Sequence, residues 1–337
     1  MTLVVLDADV LGRERTGDET YVENLLRALP AQAPELRFAA VARHPELVPD
    51  GVEPIHLPAS SQELRMAWSF PRLLRRLRPA LGHFQHALPL RCPVPAVVTI
   101  HDLSFERDPS LMPLKDRLVF RTFVPRAVRS AARVLAVSER TKQDIVELYG
   151  IPPERVTVTS HGIDPAFAPG ERPDSYLLFV GSIERRKNPL AAAAAASAVG
   201  LPLVVAGPAK DAELAGELAR RGADLRGYLS KPELAELYQG AACLLLPSRF
   251  EGFGLPVLEA MACGTPVVAA PDAALREVAG DAALFAEPGE LAETVRRALR
   301  DRDRLSAAGL ERAKAFSWEE TARRTVAVYR QVLAESS

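Results

Sequence analysis

The stretch 247–271, PSRFEGFGLPVLEAMACGTPVVAAP, constrains the fold of this 337-residue chain more than any other. An apolar run, Cys243 to Leu246, precedes it and reads as a buried strand. A turn with two glycines follows, Arg249-Phe250-Glu251-Gly252-Phe253-Gly254. A helix-forming segment from Leu255 to Ala262 then ends at Gly264, and a second apolar strand runs from Pro266 to Ala270. Strand, turn, helix and strand in that order are the βαβ grammar of a parallel sheet. Glycines where a turn opens a helix let the backbone approach a ligand closely, and the first N–H groups of the helix then face something negative. Glu251 and Glu259 lie eight residues apart in this unit. A carboxylate near a helix N-terminus offsets the macrodipole by about 0.3–1 kcal/mol. That accounts for one glutamate and leaves the glycine-aromatic-glycine turn between the two unexplained.

The same grammar runs through the rest of the chain. In the first half, strands are expected at Leu3–Leu6, Phe38–Val41, Ile55–Leu57, Gly82–Phe84, Val97–Ile100, Val134–Val137 and Val156–Thr159. Helices are expected at Thr20–Leu29, Glu63–Leu77, Leu114–Ser130 and Glu139–Tyr149, the last capped by Ser138. Residues 163–175, IDPAFAPGERPDS, break the pattern and read as an interdomain linker. The second half places strands at Leu177–Val180, Leu203–Ala206, Leu225–Tyr228, Cys243–Leu246, Val267–Ala269 and Ala283–Phe285, and closes on a helix from Trp318 to Ala334 after Ser317. The expected fold class is α/β, with two doubly wound, Rossmann-like domains facing across a cleft. We expect the first over 1–165, the second over 166–316, and a C-terminal helix, 317–337, packing back on the first.

Hydrophobic residues at 48% and charged residues at 25% give a soluble globular composition, and a net charge of −1 argues against a dedicated nucleic-acid binder. Cys92, Cys243 and Cys263 form no Cys-x-x-Cys pair, and a reduced, cytoplasmic protein is expected. The N-terminus lacks a basic n-region and reads as a strand. No apolar run approaches the roughly 20 residues that span a bilayer. Charge is uneven: from Arg65 to Arg133 there are thirteen Lys and Arg against four Asp and Glu. Much of that surplus lies on 63–78, ELRMAWSFPRLLRRLR, where Pro71 is expected to kink or split the helix. The segment reads either as a solvated face with an apolar side or as a surface for anionic lipid head groups or a phosphorylated acceptor.

Several polar groups fall at the carboxyl ends of expected strands, the ligand side of such sheets. Asp7-Ala8-Asp9 could hold a divalent metal, but a strand-end turn is the simpler reading. The turn Arg15-Thr16-Gly17-Asp18-Glu19-Thr20-Tyr21 carries a glycine, and Asp18 or Thr20 can serve as a helix cap. His101-Asp102 follows a strand directly, and Asp102 either orients the imidazole or stabilises the turn. The other histidines, His44, His56, His83, His86 and His161, show no metal spacing. In FVGSIERRKNPL, Gly181 ends a strand and Asn188 caps the next helix with Pro189 in its first turn. Arg186 and Lys187 then oppose the helix dipole unless an anion lies between them, which points to a phosphate site. Together the two polar turns of the second half suit a nucleotide diphosphate bearing a hydroxyl-rich group.

These residues resemble a family. FVGSIERRKN at 179–188, RGYLSKPELAELY at 226–238, SRFEGFGLPVLEAMACGTPVVAA at 248–270, GDAALFAEP at 280–288 and FSWEETARRTVAVYR at 316–330 look like retaining glycosyltransferases of the GT-B fold, family four (glycosyl transferases group 1). Glu251 and Glu259 match the family's Glu-x7-Glu signature. The resemblance implies roles. Glu259 holds the donor ribose, Glu251 contacts the transferred sugar, and Gly252, Phe253, Gly254 and Leu255 lie beside sugar and diphosphate. Arg186 and Lys187 neutralise the leaving diphosphate, with Gly181 and Ser182 in the same loop, and Tyr228 and Leu229 border the nucleobase. His101 contacts the donor sugar near the reacting centre, and Gly17 belongs to the glycine loop of the first domain. The family pattern is Gly-x-Gly where this chain has Gly17-Asp18-Glu19, and Arg in many members where Ser182 stands.

The resemblance further implies a metal-independent enzyme that needs no cofactor, the nucleotide-sugar being a substrate. Arg-Lys-Asn in the phosphate loop and HDLSF at 101–105 look like bacterial mannosyltransferases of surface-polysaccharide assembly. GDP-mannose is the first expected donor and a UDP-hexose the second. The expected acceptor is a glycan, a lipid-linked glycan or a small molecule, with peripheral contact to an anionic membrane through 63–78. The alternatives are a non-catalytic sugar-nucleotide-binding subunit of a glycan assembly complex, or a GT-B-fold epimerase or phosphorylase.

Overall fold

The computed structural model describes residues 1–13, 16–58, 61–170 and 173–336. Arg15 of the first polar turn and residues 171 and 172 of the expected linker lie outside them. The chain divides into two compact units, Met1–Gly162 with Trp318–Ser337, and Ile163–Ser317.

The first unit is built on seven parallel strands: β1 (Thr2–Asp7), β2 (Leu36–Ala42), β3 (Glu53–His56), β4 (Leu81–Gln85), β5 (Ala96–Ile100), β6 (Arg133–Ala136) and β7 (Val156–Val158), in the order β3-β2-β1-β4-β5-β6-β7. The second carries six: β8 (Tyr176–Val180), β9 (Leu203–Ala206), β10 (Asp224–Gly227), β11 (Ala241–Leu246), β12 (Val267–Ala269) and β13 (Leu284–Phe285), in the order β10-β9-β8-β11-β12-β13. Both are doubly wound. Strand order reverses between β1 and β4 in one and between β8 and β11 in the other, and ligands bind at such switch points. Leu178 of β8 pairs in register with Leu244 of β11, so both strands deliver their following turns to one edge. Every residue of β11 is buried, as a central parallel strand covered on both faces requires.

The helix Leu114–Ser130 and the helix Glu139–Tyr149 have their expected bounds. Ser138 Oγ accepts from Thr141 N at 3.1 Å, and Gly150 ends the second of them at φ 66°. The first helix, Thr16–Gln32, continues three residues past its expected end at Leu29, because Pro30 falls where one missing N–H costs only a bond of the last turn. Pro71 produces a π-helical turn, Arg65–Ser69, between short α-helical pieces Gln62–Leu64 and Phe70–Leu77. The extra residue in that turn relieves the clash of the proline ring with the preceding turn.

The C-terminal helix, Trp318–Glu335, packs on the helix Thr16–Gln32, and both contribute to one core with β1 and β2. A buried polar chain crosses this core: Tyr329 Oη meets His83 Nδ1 at 2.5 Å, His83 Nε2 meets Thr99 Oγ1 at 2.7 Å, and Tyr21 Oη meets Thr99 Oγ1 at 3.0 Å. Among the described residues no helix is long and apolar enough to cross a membrane.

Candidate active site

In the second unit, β8 ends at Gly181 with φ 147°, and the chain there lies against Gly207 after β9. A Cβ on Gly207 would stand 2.2 Å from the Gly181 carbonyl oxygen, so only glycine permits this approach. Ser182 is buried, and a 3-10 turn, Arg185–Lys187, follows. Asn188 precedes Pro189 as expected but does not cap the helix Pro189–Val199: it sits at φ 52° and its side chain makes no capping bond. It instead stops the 3-10 turn, donating its N–H to Arg185 O at 3.2 Å, a left-handed position that Asn tolerates.

The turn after β11 meets this loop. Lys187 Nζ donates to Glu251 Oε1 at 2.6 Å and to Oε2 at 2.8 Å. Arg186 Nη1 donates to Phe250 O at 2.9 Å and stands 3.6 Å from Glu251 Oε2, while Nη2 donates to Glu184 Oε1 at 3.0 Å. Arg249 N donates to Arg186 O at 2.9 Å and locks the two turns together. The dipole conflict at Arg186 and Lys187 thus finds an anion within the chain, Glu251. Burial pulls the Lys187 ammonium below its usual range, and Arg186 adds to this against the attraction of Glu251. Burial alone would raise the Glu251 carboxyl, but the charges of Lys187 and Arg186 outweigh it and hold it low. Glu251 is therefore a carboxylate at neutral pH.

Gly252, Phe253 and Gly254 are buried beside it. Gly254 opens the helix Leu255–Ala262 at φ 106°, and a Cβ there would stand 2.5 Å from Leu275 Cδ2. Leu255 is the first residue of that helix, and Glu259 is buried one turn on. Tyr238, on the helix Lys231–Gly240, donates its hydroxyl to Glu259 Oε2 at 2.8 Å. Burial lifts the Glu259 carboxyl to about 7; the Tyr238 bond opposes this, Asp164 adds to it and Lys231 subtracts. Lys231 Nζ is held by Asp164 Oδ2 at 2.8 Å. Tyr228, half exposed, and Leu229 follow β10 at the outer edge of the sheet. Tyr238, Glu184 and the Lys231–Asp164 pair carry no mark in the sequence, since each matters only through a contact made by folding.

In the first unit, His101 follows β5 and is buried. Its Nε2 meets Gln85 Oε1 at 2.9 Å, and its Nδ1 stands 3.7 Å from Asp18 Oδ1. Burial lowers the imidazole to about 4, the nearby His86 contributing and Asp18 opposing, so His101 is neutral at pH 7. Asp102 does not orient the imidazole through a direct bond: its Oδ1 accepts from Ser104 N at 3.0 Å and Ser104 Oγ at 2.8 Å, the turn-stabilising role. Gln85 does the orienting. Gly17 and Asp18 lie in the first turn of the helix Thr16–Gln32, and Gly17 takes ordinary helical φ with open space at its Cβ position. The fold also brings together histidines that sequence spacing left apart: side-chain atoms of Asp18, His86 and His101 lie within 4.8 Å of one another.

The Asp7-Ala8-Asp9 motif is taken up by arginines. Arg65, fully buried, donates to Asp7 Oδ1 at 2.7 Å and lies 3.5 Å from Asp9 Oδ1. Arg13 and Arg43 reach Asp9 at 3.1 Å and 3.7 Å, and Asp9 N donates to Asp7 Oδ1 at 3.2 Å. The motif is a strand-end turn neutralised by cations.

Two doubly wound units, each with polar turns at its switch point, define a GT-B-type α/β protein. Residues 166–316 match the family "Glycosyl transferases group 1", and residues 15–167 match "Glycosyltransferase Family 4". O-antigen chain mannosyltransferase B of Escherichia coli is 31% identical over 70% of this chain and 70% of its own length. D-inositol 3-phosphate glycosyltransferase 1 of Catenulispora acidiphila is 29% identical over 96% of this chain and 92% of its own. Among solved structures, a sucrose-phosphate synthase from Thermosynechococcus elongatus superposes with TM-score 0.82 at 20% identity, covering 99% of this chain and 100% of that one. Anabaena HepE, solved with UDP-glucose, superposes with TM-score 0.77 at 16% identity, covering 98% and 100%. The chain belongs to the group 1 glycosyltransferases of family four.

Proposed function

We propose that the chain is a retaining hexosyltransferase that takes its sugar from a nucleoside-diphosphate donor, GDP-mannose first and a UDP-hexose second. The observation that carries this reading is the meeting of the partly buried Lys187 and Arg186 with the buried Glu251 at the β8–β11 switch point, on the unit that also holds Glu259. Breaking the anomeric C–O bond leaves negative charge on the diphosphate and cationic character on the sugar ring. Lys187, Arg186 and the N-terminus of the helix Leu255–Ala262 stabilise the first, and losing one such donor commonly costs about 10²–10³ in rate. Glu251, held ionised, takes the hydroxyls of the transferred sugar. Glu259, once ionised, accepts from the ribose hydroxyls. Neutral His101 offers a hydrogen-bonding ring nitrogen to the donor sugar, and Tyr228 with Leu229 borders the base. No covalent nucleophile, metal or cofactor enters this reaction; the departing phosphate assists removal of the acceptor proton on the same face. The mannosyltransferase relative supports mannose as the transferred sugar, and the UDP-glucose complex of HepE supports the alternative.

The acceptor in this reading is a glycan or a lipid-linked glycan, met by a cytoplasmic enzyme at an anionic membrane. The helical segment 62–77 exposes Leu64 and Trp68, with the Arg72 guanidinium 3.5 Å over the Trp68 ring. The helix Leu114–Ser130 exposes Leu114 and Leu118, and its Lys115 is close enough for its charge to act on Glu63. Apolar side chains interleaved with Lys and Arg suit an interfacial surface. Flotation with liposomes containing anionic lipid, but not with zwitterionic ones, is the expected result; equal absence from both contradicts membrane contact. The donor reading is tested by incubating pure protein with GDP-mannose, UDP-glucose or UDP-galactose and a panel of acceptors. Sugar transfer with retained anomeric configuration supports it, and binding without turnover over the whole panel contradicts it.

A further inference from the structure

We propose that Asp18, His86 and His101 form a site for a borderline divalent cation, Zn²⁺ foremost, which inhibits sugar transfer when filled. Three different elements deliver these groups to the switch point of the first unit: the helix Thr16–Gln32, the turn after β4 and the turn after β5. Asp18 Oδ1 stands 3.7 Å from His101 Nδ1, and Asp18 Oδ2 stands 3.9 Å from His86 Nε2. These separations are too long for hydrogen bonds. Ligand atoms about 2.0–2.1 Å from a tetrahedral Zn²⁺ are about 3.3 Å apart, so small side-chain rotations bring the three groups into place.

The tautomer of His101 is a second, independent pointer. Nε2 donates its proton to Gln85 Oε1 at 2.9 Å, which leaves a lone pair on Nδ1. A carboxylate oxygen, Asp18 Oδ1, stands 3.7 Å from that nitrogen, so two acceptors lie close together with no proton between them. A cation resolves the conflict. A histidine ligand that donates its other N–H to a carbonyl oxygen is also the usual support for a bound metal. His86 has its Nδ1 buried without a partner, and its ring stacks obliquely 5.0 Å from that of His101. Two imidazoles and one carboxylate with an open fourth position suit Zn²⁺ or Co²⁺ rather than Mg²⁺, which prefers oxygen ligands. Cation binding here ties up Nδ1 of His101, which the proposed transfer reaction uses toward the donor sugar. The inhibitory consequence rests on that reading; the binding itself does not.

The test uses the full chain, stripped of metal, in a non-chelating buffer. Titration calorimetry with Zn²⁺ is expected to show saturable binding, weakened at least about tenfold in Asp18→Asn and in His86→Gln separately; bidentate or multidentate sites commonly lose such a factor with one ligand or its support. Co²⁺ is expected to give a visible d–d band in the wild type that both variants lose, with circular dichroism confirming that each is folded. In the transfer assay, the Zn²⁺ concentration that halves each protein's own rate should rise in parallel. Absence of saturable Zn²⁺ binding, or equal binding by wild type and both variants, overturns the site. Binding that the variants lose without any inhibition of transfer keeps the site and overturns its regulatory consequence.

Discussion

Lys187 Nζ is bonded to both carboxylate oxygens of Glu251, at 2.6 and 2.8 Å, across two turns that leave adjacent parallel strands. Glu251 is the anion that lets two partly buried cations stand in this loop. In the proposed reaction a diphosphate arriving here would share Lys187 and Arg186 with it.

Glu251→Gln should therefore separate binding from turnover. The variant loses the charge that competes for Lys187, so nucleoside diphosphate should bind as tightly as to the wild type or more tightly. Turnover should fall by about 10²–10³, the usual loss for one electrostatic contact to the reacting groups. Calorimetry with GDP and UDP beside a transfer assay checks both. Glu251→Ala is the harsher variant, because it also removes the bulk that fills the buried Glu251 position and leaves both cations without their carboxylate.

Donor affinity should depend on pH through Glu259. Its carboxyl is lifted to about 7 by burial, and in its proposed role it would accept ribose hydroxyls best when ionised. Below that value a proton must leave before the donor binds, so affinity should fall about tenfold per pH unit, from pH 7 toward 6 and beyond. The Tyr238 hydroxyl bond favours the ionised form, so Tyr238→Phe should move the midpoint upward, whereas Glu259→Gln should weaken binding and flatten the profile. Nucleotide affinity between pH 5.5 and 8.5 is the measurement.

Much of this arrangement was legible in the sequence. Glu251, Gly254 and the Arg186–Lys187 pair stand in turns, and Glu259 in a helix, whose place in a βαβ unit follows from apolar runs, and apolar runs persist whatever the tertiary contacts. The fully buried strand β11 announced itself for the same reason. Tyr238, Gln85 and the Asp18–His86 approach left no local mark: each sits in an ordinary helix or strand-end and acquires its role from a chain segment far away in sequence. Asn188 failed as a cap because Asn serves equally well as a left-handed stop, and only the preceding 3-10 turn decides which.

Acid should unsettle the first unit. Burial lowers His83 to about 3 and His101 to about 4, and His161 well below its usual value. Each is neutral when folded and protonated when unfolded once pH drops below about 6.5, so stability falls as pH falls from there, by about 1.4 kcal/mol per unit per group. Glu259, raised when folded, works in the opposite sense between about 4.5 and 7, but three histidines outweigh one carboxylate. The melting temperature should drop from pH 7 to 5, and His83→Gln should make that drop shallower.

The central claim is that Lys187 and its neighbours form a diphosphate site. Titration calorimetry of GDP, UDP and their sugars against wild type and Lys187→Met tests it most directly. The account predicts saturable binding of at least one diphosphate series by the wild type, weakened more than about tenfold in the variant, since a charge-assisted hydrogen bond is worth about 1.5–3 kcal/mol. Equal affinity in the two proteins, or no binding of any nucleoside diphosphate by the wild type, would contradict it.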